Sequence, residues 1–338
     1  RAAGTPVVTT FAELTTTRVG GPIAEVVTAS TDDEVIAALT ADAVVLGGGS
    51  NVIAADTPFT GRVVRIATTG IEVQRDGDRV LVEAAAGEPW DDLVAFTVEQ
   101  GWSGIDALAG IPGLVGATPI QNVGAYGQDM SQVIASVRAL DRASGAVVDV
   151  PAVDCGFGYR TSTFKREPGR WIVLGVTLRL SRTDVGEARY SELARHLEIG
   201  VGDSAPVGAI RNAVLELRRA KGMVLDETDR DTWSAGSFFT NPVVSEDDAA
   251  IVPGACPRYP ADTGVKLSAA WLIEHSGVAK GFRLDPASGA AISGKHTLAL
   301  VNTGSARARD LLALADAVRE RVHTAFGIDL QIEPTVVA

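Results

Sequence analysis

Three residues from distant parts of the chain have side chains suited to gripping and protonating a small anion. Arg160 ends the run Phe157-Gly158-Tyr159-Arg160, where a guanidinium placed after an aromatic and glycine turn can hold a carboxylate through two parallel hydrogen bonds. Ser237 stands in Gly236-Ser237-Phe238-Phe239-Thr240-Asn241-Pro242, a hydroxyl whose aromatic neighbours can shield it from water and aim it by packing. No histidine lies in that run and no G-x-S-x-G elbow surrounds the serine, so proton donation suits it better than attack on an acyl group. Glu333 stands before Pro334 near the end of the chain. Taken one at a time, a surface arginine and a solvated glutamate are the ordinary readings of such residues.

Two glycine-rich runs offer a different chemistry. Gly47-Gly48-Gly49-Ser50-Asn51 follows an apolar stretch, and consecutive glycines there expose backbone N–H groups without Cβ obstruction, an arrangement that holds a phosphate or diphosphate. The G-x-G-x-x-G template would need glycine at 52, which is Val, and a Walker loop would need Lys. A tight turn without a ligand fits the run equally well. The second run extends from Ile111-Pro112-Gly113 to Gly127 and carries the Gln121 and Asn122 amides. Ordered loops of this length usually serve a function, and two of them point to a dinucleotide. The four histidines, at 196, 275, 296 and 323, lack ligand spacing, and Cys155 and Cys256 form no C-x-x-C pair. No metal site, disulfide framework or redox dithiol is therefore expected, and both thiols read as buried packing residues.

The frame for these residues is a mixture of helices and strands. Thr31-Asp32-Asp33-Glu34 has the form of a capping box, with Thr31 accepting from the amide three residues on, Glu34 reaching back to the cap, and a helix running to Leu39. Residues 43–46 form a buried strand that enters the first glycine run, and 63–66 and 79–83 continue as strands. Trp90, Leu93, Val94 and Phe96 recur at helical spacing between Pro89 and Gly101. Glycines and prolines across 102–128 forbid a regular helix or long strand there. Residues 137–140 and 146–150 flank Ala-Ser-Gly as a hairpin, and 171–180 alternates as a strand. Helices are expected at 210–221 and 307–326, and alternation at Ile328, Leu330 and Ile332 predicts a final strand with Glu333 at its end.

At 338 residues and 46% hydrophobic content, the chain exceeds what one core usually supports, so two or three domains are expected, with boundaries near 67 and 207. A net charge of -12 opposes general affinity for nucleic acid or an anionic membrane. No apolar run reaches the roughly 18 residues of a membrane span, and residues 1–10 carry no charged-then-apolar leader pattern. A cytoplasmic location follows as the expectation. Composition and spacing alone thus reach a soluble α+β protein able to bind a nucleotide cofactor.

At these residues the sequence resembles the UDP-N-acetylenolpyruvoylglucosamine reductase (MurB) family. The resemblance runs almost end to end, through Thr17-Arg18-Val19-Gly20-Gly21, Leu46 to Asn51, Ile111-Pro112-Gly113, Pro119 to Gly127, Phe157 to Arg160, Ala235 to Phe239, Asn241-Pro242 and Glu333-Pro334. It implies a flavin-binding fold like that of vanillyl-alcohol oxidase and para-cresol methylhydroxylase over about 18–181, in two subdomains at 1–66 and 67–206, followed by a C-terminal α+β substrate-binding domain at 207–338. It further implies a monomeric UDP-N-acetylmuramate dehydrogenase of peptidoglycan precursor synthesis, with non-covalent FAD and with NADPH as co-substrate. In that family the reduced flavin saturates the enolpyruvyl ether of UDP-N-acetylglucosamine. Hydride addition to the terminal vinyl carbon pushes charge into the carboxylate as an enediolate, which needs preorganised donors. By the resemblance Arg160 and Glu333 stabilise that charge and Ser237 supplies the proton.

The same resemblance assigns cofactor contacts to Gly47, Gly48, Gly49, Ser50, Asn51, Val52, Ile111, Pro112, Gly113, Gly116, Gln121, Asn122, Gly124, Ala125, Tyr126, Arg160, Val173 and Arg218. It assigns substrate contacts to Tyr190, Lys221, Asn241, Tyr259, Lys266 and His275, with Tyr190 in an intact segment, 187–193, that the longer form of the enzyme keeps. Gly48 is acidic in some relatives and His275 is Gln or acidic in others. A rival reading is an FAD-linked oxidase on the same fold with a tethered flavin; no histidine precedes 196, which leaves Cys155 as the candidate tether. A silent nucleotide-binding module is the second rival, and it would lack Arg160, Ser237 or Glu333.

Overall fold

The structure, a computed structural model, describes residues 9–261 and 263–338; most of the segment searched for a leader lies outside them. The chain forms two compact units. One takes the residues up to Ala24, Gly49–Thr60 and Lys221–Ala338, and the other takes Glu25–Gly48 and Gly61–Ala220. Both expected boundaries, near 67 and 207, fall inside the second unit. The grouping follows contacts rather than chain order because residues 49–51, the end of the first glycine run, and the strand after them group with the C-terminal third.

The second unit is built on a five-stranded antiparallel sheet in the order Ala146–Pro151, Ile134–Asp141, Trp171–Ser181, Arg79–Ala85, Ile71–Asp76. The central strand Trp171–Ser181 is buried along most of its length, and the edge strands are exposed. A smaller sheet orders Ile23–Ala29, Phe59–Ile66 and Val44–Leu46, the last two parallel. Val35, Val64, Ile66, Leu140, Ile172 and Leu174 share one apolar core. The helix Asp32–Ala38 packs on it through Val35, and Thr31 Oγ1 accepts from Glu34 N–H at 3.2 Å. The reverse half of the capping box differs from expectation. Glu34 accepts from Ser30 N–H at 2.7 Å, because its longer side chain reaches past the cap residue.

The helix Trp90–Glu99 begins after Pro89 as predicted. Trp90 lies in the core, and its Nε1 donates to Leu108 O at 3.0 Å. The glycine and proline loop beyond it contains only short 3-10 turns, Asp106–Leu108 and Val115–Ala117, and a small hairpin of Gly124–Ala125 with Gln128–Asp129. Backbone bonds tie it down: Trp90 N–H to Gly113 O at 3.1 Å, Val115 N–H to Glu88 O and Gly116 N–H to Ala86 O, both at 2.9 Å.

The first unit has its own core, which includes Phe238, Phe239, Leu272, Leu311, Val318 and Leu330. Around it lie the helices Ala269–His275 and Ala308–Phe326, a three-stranded sheet of Val243–Val244, Val265–Leu267 and Arg258–Pro260, and the hairpin Ala290–Ile292 with Leu300–Asn302. The final strand is not where the alternation placed it. Ile328 and Leu330 are buried, but the segment carries no ladder, only the bridge between Ile332 and Phe239. An extended run crossing a core buries alternate residues without pairing along its length. The last strand is Thr335–Val337, parallel to Val52–Ala54. No helix among the described residues is long and apolar enough to cross a membrane.

The long helix Ala308–Phe326 is capped from a distance: Asp56 Oδ1 accepts from Ala308 N–H at 2.9 Å and Asp56 Oδ2 from Arg309 N–H at 3.1 Å. A carboxylate at a helix start satisfies donors that the helix itself cannot and opposes its dipole. Asp56→Ala is expected to cost about 1–2 kcal/mol in urea unfolding; an unchanged midpoint and slope would show that water replaces both bonds without loss.

Candidate active site

In the second unit the two glycine runs meet. A Cβ built on Gly48 would lie 2.8 Å from Gly113 Cα, and one built on Gly47 would touch Leu114. At Gly48 only a bare backbone allows this approach, which brings the main chains of the two runs together there, with the Leu114 side chain against Gly47. Such a cradle fits the diphosphate of a dinucleotide.

Non-glycine residues around the cradle hold unusual backbone. Asn122, Tyr126 and Arg160 have φ of 48°, 48° and 53°, the left-handed region that costs a side-chain-bearing residue energy and persists where surroundings over-determine it. Here they do. Asn122 Nδ2 donates to Gly158 O at 3.2 Å and its Oδ1 accepts from Ser131 N–H at 2.8 Å. Arg160 Nη2 donates to Gly124 O at 2.9 Å, and its guanidinium sits 5.5 Å from the Tyr159 ring. Lys165 Nζ donates to Arg160 O at 3.1 Å. Thus the structure brings Arg160 to the glycine run 122–127. Gln121 and Ala125 are half-buried in that run, as are Ile111 and Pro112 in theirs. Gly116 packs on Ala86, and Val173 is buried in the central strand opposite Ala139.

Tyr126 meets Tyr190 edge to face, with ring centroids 5.7 Å apart. This joins a residue assigned to the cofactor with one assigned to the substrate. Burial pushes the Tyr126 hydroxyl up to about 12, with the Arg218 charge acting the other way. Burial likewise pulls the Arg218 guanidinium down to about 10, opposed by Tyr126 and Asp91. Asp91 was not singled out by any motif, yet it links three elements. From the helix Trp90–Glu99 its Oδ1 accepts from Gly110 N–H at 2.6 Å and its Oδ2 from Arg211 Nη2 at 3.0 Å. An acidic residue in a helix's first turn was visible in the sequence; its partners were not.

In the first unit Ser237 and Glu333 share one frame. Glu333 N–H donates to Phe238 O at 2.9 Å, and Thr240 N–H donates to Gln331 O at 3.1 Å. Phe238 and Phe239 are buried and pack edge to face, 5.5 Å apart. Ser237 and Glu333 themselves are half-buried. Gly49, Ser50, Asn51 and Val52 belong to this unit: Gly49 has φ 61°, and a Cβ there would sit 2.0 Å from Leu14 O.

Five residues assigned to the substrate belong to the first unit. Tyr259 pairs directly with Lys266 across antiparallel strands. Asn241 Oδ1 accepts from Ala269 N–H at 2.9 Å, at the start of the short helix that ends at His275. His275 stacks on Trp271 at 3.8 Å between centroids, nearly parallel. Lys221 is half-buried just beyond the helix Val207–Ala220, which carries Arg218 in the second unit. Among the described residues no cluster of three or more His, Cys, Asp or Glu side chains gathers to hold a metal.

Comparison with known proteins covers both units. A family model described as the C-terminal domain of UDP-N-acetylenolpyruvoylglucosamine reductase matches residues 227–337, and one described as an FAD binding domain matches residues 23–151. The UDP-N-acetylenolpyruvoylglucosamine reductase of Streptomyces coelicolor is 49% identical over 349 residues, covering 97% of this chain and 88% of the relative. That of Salinispora arenicola is 48% identical over 339 residues, covering 96% and 93%. The crystal structure of UDP-N-acetylenolpyruvylglucosamine reductase from Thermus caldophilus superposes with a TM-score of 0.67 at 30% identity, over 98% of both chains.

Cys155, the candidate tether, is fully buried, with its Sγ directed at the carbonyls of Val150 and Pro151 at 3.7 and 3.5 Å. Burial pushes its thiol up to about 11, and burial also raises that of Cys256. A thiol held neutral and enclosed is a poor nucleophile. Near pH 8 the folded protein is expected to leave both cysteines unalkylated by iodoacetamide, with both reacting after denaturation; rapid labelling of folded Cys155 on intact-mass analysis would contradict this.

Proposed function

This chain belongs to the UDP-N-acetylenolpyruvoylglucosamine reductase family, and from that premise we propose that it uses FAD and NADPH to reduce UDP-N-acetylglucosamine enolpyruvate to UDP-N-acetylmuramate in peptidoglycan precursor synthesis. When bound, FAD would supply the hydride chemistry that links NADPH to the terminal vinyl carbon of the enolpyruvyl group. Gly47 to Val52, the 111–116 and 121–126 stretches, Val173 and Arg218 would hold the cofactor, and the bare backbone at Gly48 and Gly113 fits its diphosphate.

The chain's own groups then manage charge and proton. Arg160 pairs with the substrate carboxylate and opposes the negative charge that grows there. Glu333, either protonated or paired through a water, stabilises the developing enediolate. Ser237 passes its proton to the carbon beside the carboxylate, assisted by a neighbouring cation or water, since a free serine is a weak acid. The observation that carries this reading is the backbone pairing of the 237–240 run with 331–333, which joins the segments of Ser237 and Glu333. Tyr259, Lys266, Asn241, Lys221 and His275 take the uridine diphosphate, and Tyr190 closes over the substrate, as the longer form of the enzyme does. We assign the protein to the cytoplasm as a monomer, with 1–66 and 67–206 serving the cofactor and 207–338 the substrate.

The purified protein is expected to be yellow, to release its colour on acid precipitation, and to oxidise NADPH slowly until UDP-N-acetylglucosamine enolpyruvate is added. NADPH oxidation that the substrate fails to accelerate would sink the assignment. Ser237→Ala should leave flavin reduction by NADPH near normal and slow the substrate half-reaction about 10²- to 10⁴-fold, as resolved by stopped-flow absorbance. Equal losses in both half-reactions would remove the serine from the proton step.

A further inference from the structure

Glu333 is held by its main chain on two sides. Its N–H donates to Phe238 O at 2.9 Å, beside Ser237, and its carbonyl accepts from Asn51 Nδ2 at 3.3 Å. Two residues later Thr335 N–H donates to Asn51 O at 2.9 Å. Asn51, 282 residues away in sequence, thus engages the segment through both its side chain and its backbone. From there the chains run parallel in the register Thr335 to Val52, Val336 to Ile53 and Val337 to Ala54, closed by Ala55 N–H to Val337 O at 2.7 Å.

The anchor on the Asn51 side has little slack. Ile53 and Ala54 are fully buried, so the strand that follows Asn51 cannot slide without opening the core. Gly49 O accepts from Thr16 N–H at 3.2 Å, and Leu14 O leaves no room for even a methyl group at Gly49. A shift in the 49–51 backbone therefore has few places to be absorbed. It passes to the hydrogen bonds that end on 333 and 335.

We propose that Asn51 is a positioning residue for Glu333: the last residue of the first glycine run fixes the backbone from which the acid's carboxylate projects, and cofactor binding on that run sets the acid in place. This rests on the reading that the run takes FAD and that Glu333 serves the substrate. It extends the part played by Asn51 from cofactor contact to coupling. Apoprotein, in which the run is unfilled, then has a looser Glu333 segment, and the acid becomes competent only once the cofactor is aboard.

Hydrogen–deuterium exchange on the full chain, with and without FAD, tests this. FAD is expected to slow exchange at 47–52 and also at 333–337, by roughly tenfold at the Thr335 amide, because that N–H is the one bonded to Asn51. Protection at 47–52 with none at 333–337 overturns the coupling and leaves the cofactor reading standing. No protection at either overturns both. In Asn51→Ala brought to full flavin content with excess FAD, the Asn51 carbonyl still accepts from Thr335 N–H but the side-chain bond to Glu333 O is gone, so the protection at 333–337 should be reduced; undiminished protection would overturn the role of the side chain. A second variant leaves the glycine run untouched. Thr335→Pro removes the N–H that reaches Asn51 and should slow the substrate half-reaction about ten- to a hundredfold with flavin reduction by NADPH unchanged. An unaltered substrate half-reaction in a folded, yellow Thr335→Pro protein also overturns the proposal.

Discussion

Two backbone hydrogen bonds, Glu333 N–H to Phe238 O and Thr240 N–H to Gln331 O, tie the segments of a serine and a glutamate almost a hundred positions apart to one frame. Neither bond survives without what lies beneath it. Phe238, Phe239 and Leu330 are buried in the same core as Leu311 and Val318 of the long helix, each contributing roughly 1.5–3 kcal/mol of burial. The helix begins on Asp56, from the segment between the Val52–Ala54 and Phe59–Ile66 strands. Cap, helix, core and the two bonds form one chain of contacts under Ser237 and Glu333, which themselves stay half-buried.

The second unit meets a different constraint, which is to hold irregular backbone still. Asn122, Tyr126 and Arg160 there occupy the left-handed region, at a cost on the order of 1–3 kcal/mol each. The braces that offset it run between loops: the Asn122 amide links Gly158 and Ser131, Arg160 reaches Gly124, and Asp91 joins Gly110 to Arg211. Strain and bracing coincide with the motifs that drew attention in the sequence. A loop of plain turns would need neither.

Local features were legible in the amino-acid order, and pairings between distant residues were not. Helices at Asp32–Ala38, Trp90–Glu99, Val207–Ala220 and Ala308–Phe326 follow caps and periodicity, and the 134–151 hairpin follows its turn. The final strand was misplaced by a few residues because alternate burial at Ile328 and Leu330 comes from crossing a core, which period-two spacing cannot tell from a ladder. Glu34 was expected on the cap residue itself and reaches Ser30 instead, a choice of rotamer rather than of sequence. Motifs marked Arg160, Ser237 and Glu333 as chemically apt. Nothing local marked Asn51 as the partner of Glu333, or Asp91 as the partner of Arg211, since such bonds are set by topology alone.

Charge offers the last link between composition and site. At -12 the protein as a whole repels a nucleotide sugar and NADPH, both of them anions. That repulsion is screened beyond the Debye length of about 8 Å at physiological salt, whereas a cation in a partly buried site is screened far less. Arg211, whose side chain is only 20% exposed, keeps Asp91 beside it, and Arg218 is depressed by burial yet charged at neutral pH. Pairing some cations and burying others lowers their reach toward distant anions and preserves it for an anion that docks against them. On the functional reading above, an acidic surface and a few enclosed arginines therefore favour ligands able to enter the site over polyanions that could only lie across it.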